Sequence, residues 1–467
     1  MHRLIAFAMG ALLVFAGFVA RAEPAASSGQ QRAEAFLKIL PASADEQRRF
    51  VEHNFTKQAI ERRGLDGLVA FFAQVRSDLG SAPPRYVRAL DDRVEFGIAR
   101  PGGGNLKFSV LLGPPPDSLI NGFTVQPDEA ATPPPAVAEA DLPKAIADLM
   151  QQQGGNGFSG AVVVAHEGQP IFAHAYGEAD RAARRVNTLD TPFNLASNNK
   201  MFTALLIAQL EEEGKLAWND TVGKFVPDWP QAEVREKVTI EHLLTHTSGL
   251  GEFWGPAHDA KAASLDTVAE YADLIRSDAP AAEPGRNFRY SNNGYVLLGL
   301  IAEKITGKSY YDLVRERIYR PAGMVHSDHY LTTDTGSGVA IGYQRDGSPN
   351  TPHLALRGSP AGGGYASAND LLRFAGALEG GKLVSKGTLA YMTTGRAAMG
   401  PHIAYGYGFG VSDAAGKHYG HNGGAPGVHA AFEVFPASGY VVVVLSNSDA
   451  GASDIAQQLI GMVQAKR

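Results

Sequence analysis

Apolar residues along this chain change their period, and each change marks a new kind of element. From about residue 32 to 80 the spacing is helical. Phe36, Leu37 and Leu40 recur at helical intervals, Phe50, Val51 and Phe55 less cleanly, and Leu65, Leu68, Val69, Phe72 and Val75 form a clear stripe. After that the period shortens. Tyr86–Leu90, Val94–Ala99, Leu106–Leu112 and Ile120–Val125 read as short strands, punctuated by Asp91-Asp92, Gly102-Gly103-Gly104 and Gly113-Pro114-Pro115-Pro116. Helices followed by an antiparallel meander predict a small α+β domain over 23–127, with no recognisable catalytic cluster. Residues 128–138, containing Thr132-Pro133-Pro134-Pro135, read as a stiff linker.

Beyond the linker the order reverses. A helix is expected over Leu142–Gln153, then strands over Gly160–Val164 and Ile171–Tyr176 on either side of His166-Glu167-Gly168. A long helical region starts near Ser197. Strands return at Tyr407–Val411, Val428–Phe435 and Tyr440–Ser446, and a last helix covers Ala452–Val463. Strands at both ends with helices between them predict an α+β domain over 139–467. Its sheet closes by pairing the two ends and is flanked by helices.

The first residues carry a different signal. Arg3 precedes an apolar run from Leu4 to Ala20, and Ala20-Arg21-Ala22 places small residues at the minus-three and minus-one positions of a cleavage site. The run is short for a membrane span, which takes about 20 apolar residues. Residues 1–22 are therefore expected to be a signal peptide cut after Ala22, with the mature chain periplasmic or secreted and without a stable membrane span. The chain has no cysteine, which rules out disulfides and thiolate chemistry. Its length of 467 residues and 44% hydrophobic content allow a large core without them. A formal net charge of -6, with no long run of like charges, argues against a nucleic-acid partner.

Three short segments carry candidate chemistry. In Ser197-Asn198-Asn199-Lys200 the serine and lysine are three apart, which puts both on one face of a helix. A serine hydroxyl is a poor nucleophile until a base takes its proton, and a desolvated lysine can be that base. Such a spacing arises about once by chance in a chain this long. It occurs nowhere else here, however, and Met201–Leu210 after it is almost wholly apolar. A lysine at the mouth of a buried helix is costly unless it is used or paired. The second segment is Tyr290-Ser291-Asn292, which offers a phenol and an amide but also reads as turn chemistry with Asn293-Gly294. The third is Gly420-His421-Asn422-Gly423-Gly424, where glycines let a substrate backbone come close. The Gly424 N–H and the Ser197 N–H are candidate halves of an oxyanion hole. His242 and His246 are four apart, but with no H-E-x-x-H and no third ligand they read as capping or packing residues rather than metal ligands. G-x-S-x-G is absent, so an α/β-hydrolase elbow does not explain the chain.

Taken in order, Ser-x-x-Lys, Tyr-x-Asn and His-x-Gly resemble the serine β-lactamase and penicillin-binding-protein superfamily. The closest branch is that of class C β-lactamases and the related esterases and D-amino-acid peptidases. Thr239–Leu250 is similar to a marker segment of that family, and Ala361–Ser367 to its glycine turn. The resemblance runs from Leu142 to the C-terminus and implies an antiparallel sheet flanked by helices with an all-helical insert. It implies acylation of Ser197, proton transfer by Lys200 and Tyr290, and substrate contacts from Asn292, His421, Gly423 and Gly424, with no metal or cofactor. His421 stands where the family's third motif has lysine, and Asn422 where it has threonine. Both departures favour an ester, a D-amino-acid amide or a related peptide over a β-lactam or a D-Ala-D-Ala terminus. A binding or sensing protein with a decayed site is the competing expectation, yet Ser197, Lys200 and Tyr290 are all present.

Overall fold

The computed structural model describes residues 28–464 except 41, 80–83, 91–92, 100–104, 114–116, 118, 128–136, 156, 335, 345, 401, 414–415 and 450–451. The expected leader over 1–22 lies outside the described residues, as does all of the Pro-rich stretch but 137 and 138.

In the N-terminal part, helices α1 (Ser28–Ile39), α2 (Ala44–Asn54), α3 (Lys57–Arg63) and α4 (Leu65–Leu79) precede four strands. These are β1 (Pro84–Ala89), β2 (Arg93–Ala99), β3 (Asn105–Leu112) and β4 (Ile120–Pro127), paired antiparallel in that order. Ser43 and Glu46 form a reciprocal capping box at the start of α2. Strand alternation sends Phe96, Ile98, Phe108 and Val110 to one face, where they meet Phe36, Val51, Phe55 and Phe72 from the helices. This core contains no residue of the C-terminal part.

The second part is built around an eight-stranded sheet. It opens with α5 (Leu142–Gly155), β5 (Gly160–His166) and β6 (Gln169–Tyr176). A small pair, β7 (Glu178–Asp180) and β8 (Arg185–Val186), follows, and then β9 (Phe193–Asn194), which pairs with the distant β10 (Tyr365–Ala366). The remaining strands are β11 (Ala397–Gly400), β12 (Ile403–Tyr405), β13 (Gly410–Ser412), β14 (His418–Ala425), β15 (Val428–Phe435) and β16 (Tyr440–Ser446). The large sheet runs β11-β12-β13-β14-β15-β16-β5-β6, so the two ends of the domain do pair, Val443 facing Val163.

Both faces of its centre are buried, which explains the nearly unbroken valine runs. Val163, Val441, Val443 and Leu445 face the helical body, whereas Val162, Val164, Val442 and Val444 face α5 and the helix Ala452–Gln464. The helical body is centred on α6 (Lys200–Glu212), in which Met201 to Ala208 are all buried. A helix apolar all round belongs in the middle of a core. Among the described residues, no helix is long and apolar enough to cross a membrane.

The strand expected over Tyr407–Val411 is shorter than the pattern suggests. Gly408 has φ +80, and the Tyr407 N–H turns away to the Met392 carbonyl, so pairing resumes only at Gly410. The glycine-rich stretch before Val428 is itself a full strand, β14, which composition hides because glycine disfavours strands.

Candidate active site

The turn that carries Ser197 is strained and clamped. Ala196 has φ +43, a left-handed conformation that costs a non-glycine residue roughly 1–3 kcal/mol. Its N–H donates to Asn194 Oδ1 at 2.9 Å, and its carbonyl accepts the Gly363 N–H at 3.2 Å. The Leu195 N–H donates to the Gly364 carbonyl at 2.8 Å, next to the β9–β10 pair. Ser197 then lies in a 3₁₀ turn, Ala196–Asn199, that runs straight into α6 at Lys200. Residues three apart eclipse in a 3₁₀ turn, so Lys200 rises beneath Ser197.

Lys200 is fully buried, and its amine has three acceptors. Nζ donates to Ala361 O at 2.5 Å, Asn292 Oδ1 at 2.6 Å and Ser197 Oγ at 3.3 Å. Burial pushes its pKa from the ordinary 10.5 down to about 7, while the Glu252 carboxylate works in the opposite direction. That fall amounts to about 5 kcal/mol against the charged amine. Full burial of Phe202, Leu205 and Leu206 on the same helix, at about 1.5–3 kcal/mol each, is enough to offset it.

Tyr290 and Asn292 are delivered by a helix start. Ser291 is the N-cap of the helix Asn292–Thr306. Its hydroxyl accepts the Gly294 N–H at 3.1 Å and donates to Gly251 O at 2.8 Å. The turn chemistry of the sequence is thus a cap, and it places Tyr290 just before the helix and Asn292 in its first turn. The Lys200 amine sits 4.7 Å from the Tyr290 ring centre, and the Tyr290 hydroxyl lies beside Ser197. Burial pushes this phenol far above its usual range, and the Ser197 hydroxyl offsets only part of that. The Asn292 amide is turned by Glu252, whose Oε2 accepts Nδ2–H at 2.5 Å and the backbone N–H at 3.3 Å. The amide oxygen is therefore left facing Lys200.

His421, on β14, is buried beside this group. Its Nδ1 is 2.6 Å from Asn422 O, which can only accept, so Nδ1 carries the proton and Nε2 accepts the Tyr405 hydroxyl at 2.8 Å. Burial, helped by the charge of Lys200, pushes the imidazole down to about 3, so it is neutral at pH 7. Gly423 is pressed onto the turn that carries Ser197. A Cβ there would lie 2.2 Å from Leu195 O and 3.0 Å from Ser197 N. Gly424 is exposed, with open space at its α-carbon. β13 pairs with β14 only as far as Gly420, so in the described ladder that edge has no partner from His421 to Ala425.

All seven predicted positions thus fall on adjoining elements, with Gly424 at the rim. Sequence reasoning missed Glu252, Ala361 and Tyr405, and it gave His246 no place at the site. The His246 ring lies tilted against Tyr290, with centroids 4.2 Å apart, and its Nδ1 accepts the Ser291 N–H at 3.1 Å. Its φ of +58 and its burial among Phe288, Tyr295 and Tyr405 were invisible in the spacing. His242 closes a capping box with Thr239. Among the described residues, no group of three or more His, Asp or Glu is arranged to hold a metal.

Comparison with known proteins shows the family and the fold. The beta-lactamase family model matches residues 142–465. Penicillin-binding protein 4* of Bacillus subtilis is 33% identical over 296 residues, 58% of this chain and 64% of that protein. The solved penicillin binding protein from Bacillus halodurans is 30% identical with a TM-score of 0.61, covering 66% of this chain and 96% of that one. The D-amino acid amidase from Ochrobactrum anthropi SV3, complexed with L-phenylalanine, is 25% identical with a TM-score of 0.57, over 68% and 97% of the two chains.

Proposed function

The chain belongs to the beta-lactamase family and is a hydrolase of that family; from this premise we propose that it works through an acyl-enzyme on Ser197. The observation that carries the proposal is the Lys200 amine, fully buried, 3.3 Å from Ser197 Oγ and titrating near 7. At neutral pH a large fraction of that amine is uncharged and can accept the serine proton. As Oγ bonds to the substrate carbonyl carbon, the proton passes to Nζ. Tyr290, in contact with Ser197, passes its proton to the leaving atom and takes in its place the proton now held on Nζ, so that it stays a phenol and the amine returns to its neutral form. The Ser197 N–H and the backbone of β14 at Gly423 and Gly424 receive the developing oxyanion. Water then attacks the acyl carbon, with the same two groups acting in reverse.

Charge in the cleft narrows the substrate. His421 is neutral, and Lys200 is buried and committed to three acceptors. Glu252, by contrast, is a partly exposed carboxylate. This arrangement supports neutral esters and D-amino-acid amides or related peptides over acyl donors that carry a carboxylate beside the scissile bond. Intact-mass spectrometry after incubation with a fluorophosphonate, a short ester and a penicillin tests both parts. We expect one covalent adduct on Ser197 with the fluorophosphonate, ester turnover, and poor penicillin turnover. Ser197→Ala should keep the fold and lose both labelling and turnover. Full activity in folded Ser197→Ala would overturn the reading.

A further inference from the structure

The two residues between Ser197 and Lys200 are asparagines, and both side chains are fully buried. They behave differently. The Asn198 amide has no hydrogen-bond partner at either end. The Asn199 amide is heavily used. Its Nδ2 lies 3.0 Å from Tyr310 Oη, 3.2 Å from Ser359 O and 3.4 Å from Pro360 O. One turn further along α6, Thr203 Oγ1 donates to the same Pro360 carbonyl at 2.7 Å and shares a 2.8 Å hydrogen bond with Tyr310. The next carbonyl in that turn is Ala361 O, the shortest contact of the Lys200 amine at 2.5 Å.

Three consecutive carbonyls, 359 to 361, thus point at one side of the 3₁₀ turn and α6. A carbonyl held this way is an acceptor whose position is decided by its neighbours. Ser359 and Pro360 are tied to Asn199 and Thr203, so Ala361 O cannot drift without breaking those bonds. We propose that Asn199 is a positioning residue for Lys200: with Thr203 it fixes the Ser359–Pro360 backbone so that Ala361 O meets the amine and aims it at Ser197. The idea rests on the acyl-enzyme reading above and adds to it a residue that never touches substrate. Packing supports a dedicated seat for the amide. A Cβ on Gly364 would come within 2.4 Å of Asn199 Oδ1, so glycine at 364 leaves room for it.

The chemical consequence has a sign. An acceptor near the amine stabilises its protonated form, so losing a well-placed acceptor lowers the lysine pKa. Misaiming by even about 1 Å also costs up to roughly a hundredfold in rate. Asn199→Ala and the near-isosteric Thr203→Val should therefore do two things. They should move the titration of Lys200 to lower pH, and they should reduce kcat for an ester by about tenfold or more with little change in KM. Thr203→Ser, which keeps the hydroxyl, should restore both.

The experiment reads Lys200 directly. Its ¹³Cε resonance, assigned by loss of the signal in Lys200→Met, is titrated in the full-length wild type and each variant, alongside ester kinetics and thermal melts. A downward shift in Thr203→Val with return in Thr203→Ser supports the proposal. An unchanged Lys200 titration in folded Thr203→Val overturns it, whether or not Asn199→Ala folds. Failure of the acyl-enzyme reading shows elsewhere, as a wild type that fluorophosphonate does not label. The lysine titration is then still measurable and still decides the clamp.

Discussion

Adding one methyl group at Gly423 should cost far more than adding one at Gly424. At Gly423 the new Cβ would lie 2.2 Å from Leu195 O, 3.0 Å from Ser197 N and 3.1 Å from Ala196 Cβ. Ordinary contacts begin at 3.4 Å, so strand β14 and the nucleophile turn must part by roughly 1.2 Å. The two nearest atoms are backbone and the third is a Cβ fixed to it, so none can swing aside as the end of a long side chain can. A misplacement of about 1 Å between reacting groups costs roughly a hundredfold, near 2.7 kcal/mol of barrier. Overpacking also takes about 1–3 kcal/mol from stability. At Gly424 nothing lies within 4 Å of the added carbon, and the backbone N–H is kept.

We therefore expect Gly423→Ala to lose about a hundredfold in kcat/KM for a short ester and in the rate of Ser197 labelling. Gly424→Ala should lose less than about threefold, because no backbone has to move. Both are measured well below the melting temperature of the weaker variant, so that unfolding does not mimic lost chemistry. Labelling of Gly423→Ala within threefold of wild type, or equal losses in the two variants, would refute the claim that β14 is pressed onto the nucleophile turn.

Two further outcomes follow from the electrostatics. Only the neutral Lys200 amine accepts a proton, so kcat/KM should fall about tenfold per pH unit below the amine's value of about 7. Glu252 favours the charged amine, so Glu252→Gln should move that limb to lower pH, and a move to higher pH would contradict the assignment of the limb to Lys200. His421→Lys would place a fixed cation where the imidazole is now neutral. A charge-assisted hydrogen bond of about 1.5–3 kcal/mol predicts at least tenfold better kcat/KM for a penicillin with little gain for a neutral ester. Equal gains for both substrates would show that this position does not read a carboxylate.

What the sequence could disclose depended on how locally each contact is encoded. The Ser197–Lys200 pair was legible because three residues of helical backbone are enough to bring the two together. The paired ends of the large sheet were legible because a doubly buried strand must be apolar along its centre, as β5 is over Ala161–Ala165 and β16 over Val441–Leu445. Glu252 was not legible. Its carboxylate reaches Asn292 across 40 residues, and nothing in Gly251-Glu252-Phe253 sets it apart from a surface glutamate. His246 looked like the end of a helix. Its partners, Tyr290 and Tyr405, arrive from a later helix start and from the far edge of the sheet. β14 was hidden by its glycines, although those glycines have a reason: Gly420 has Phe432 O, and Gly423 has Leu195 O, where a side chain would begin.

The rings around Lys200 also bear on which group would serve as the base in the proposed reaction. Tyr290, Tyr295 and Tyr405 are buried, and burial pushes each phenol up and away from neutral pH. His246 and His421 are buried too, and burial together with the charge of Lys200 pushes both imidazoles down. The same environment thus removes the phenols from one side of neutrality and the imidazoles from the other. A phenolate at Tyr290 would have to form inside an apolar pocket with the partly exposed Glu252 carboxylate opposing it. The amine faces no such obstacle, because losing its proton relieves the burial cost instead of creating one. Of the six groups, Lys200 alone has its midpoint near neutral pH, with its amine one hydrogen bond from Ser197. Under the acyl-enzyme proposal, proton abstraction therefore falls to the lysine, and Tyr290 relays that proton to the leaving group without itself remaining ionised.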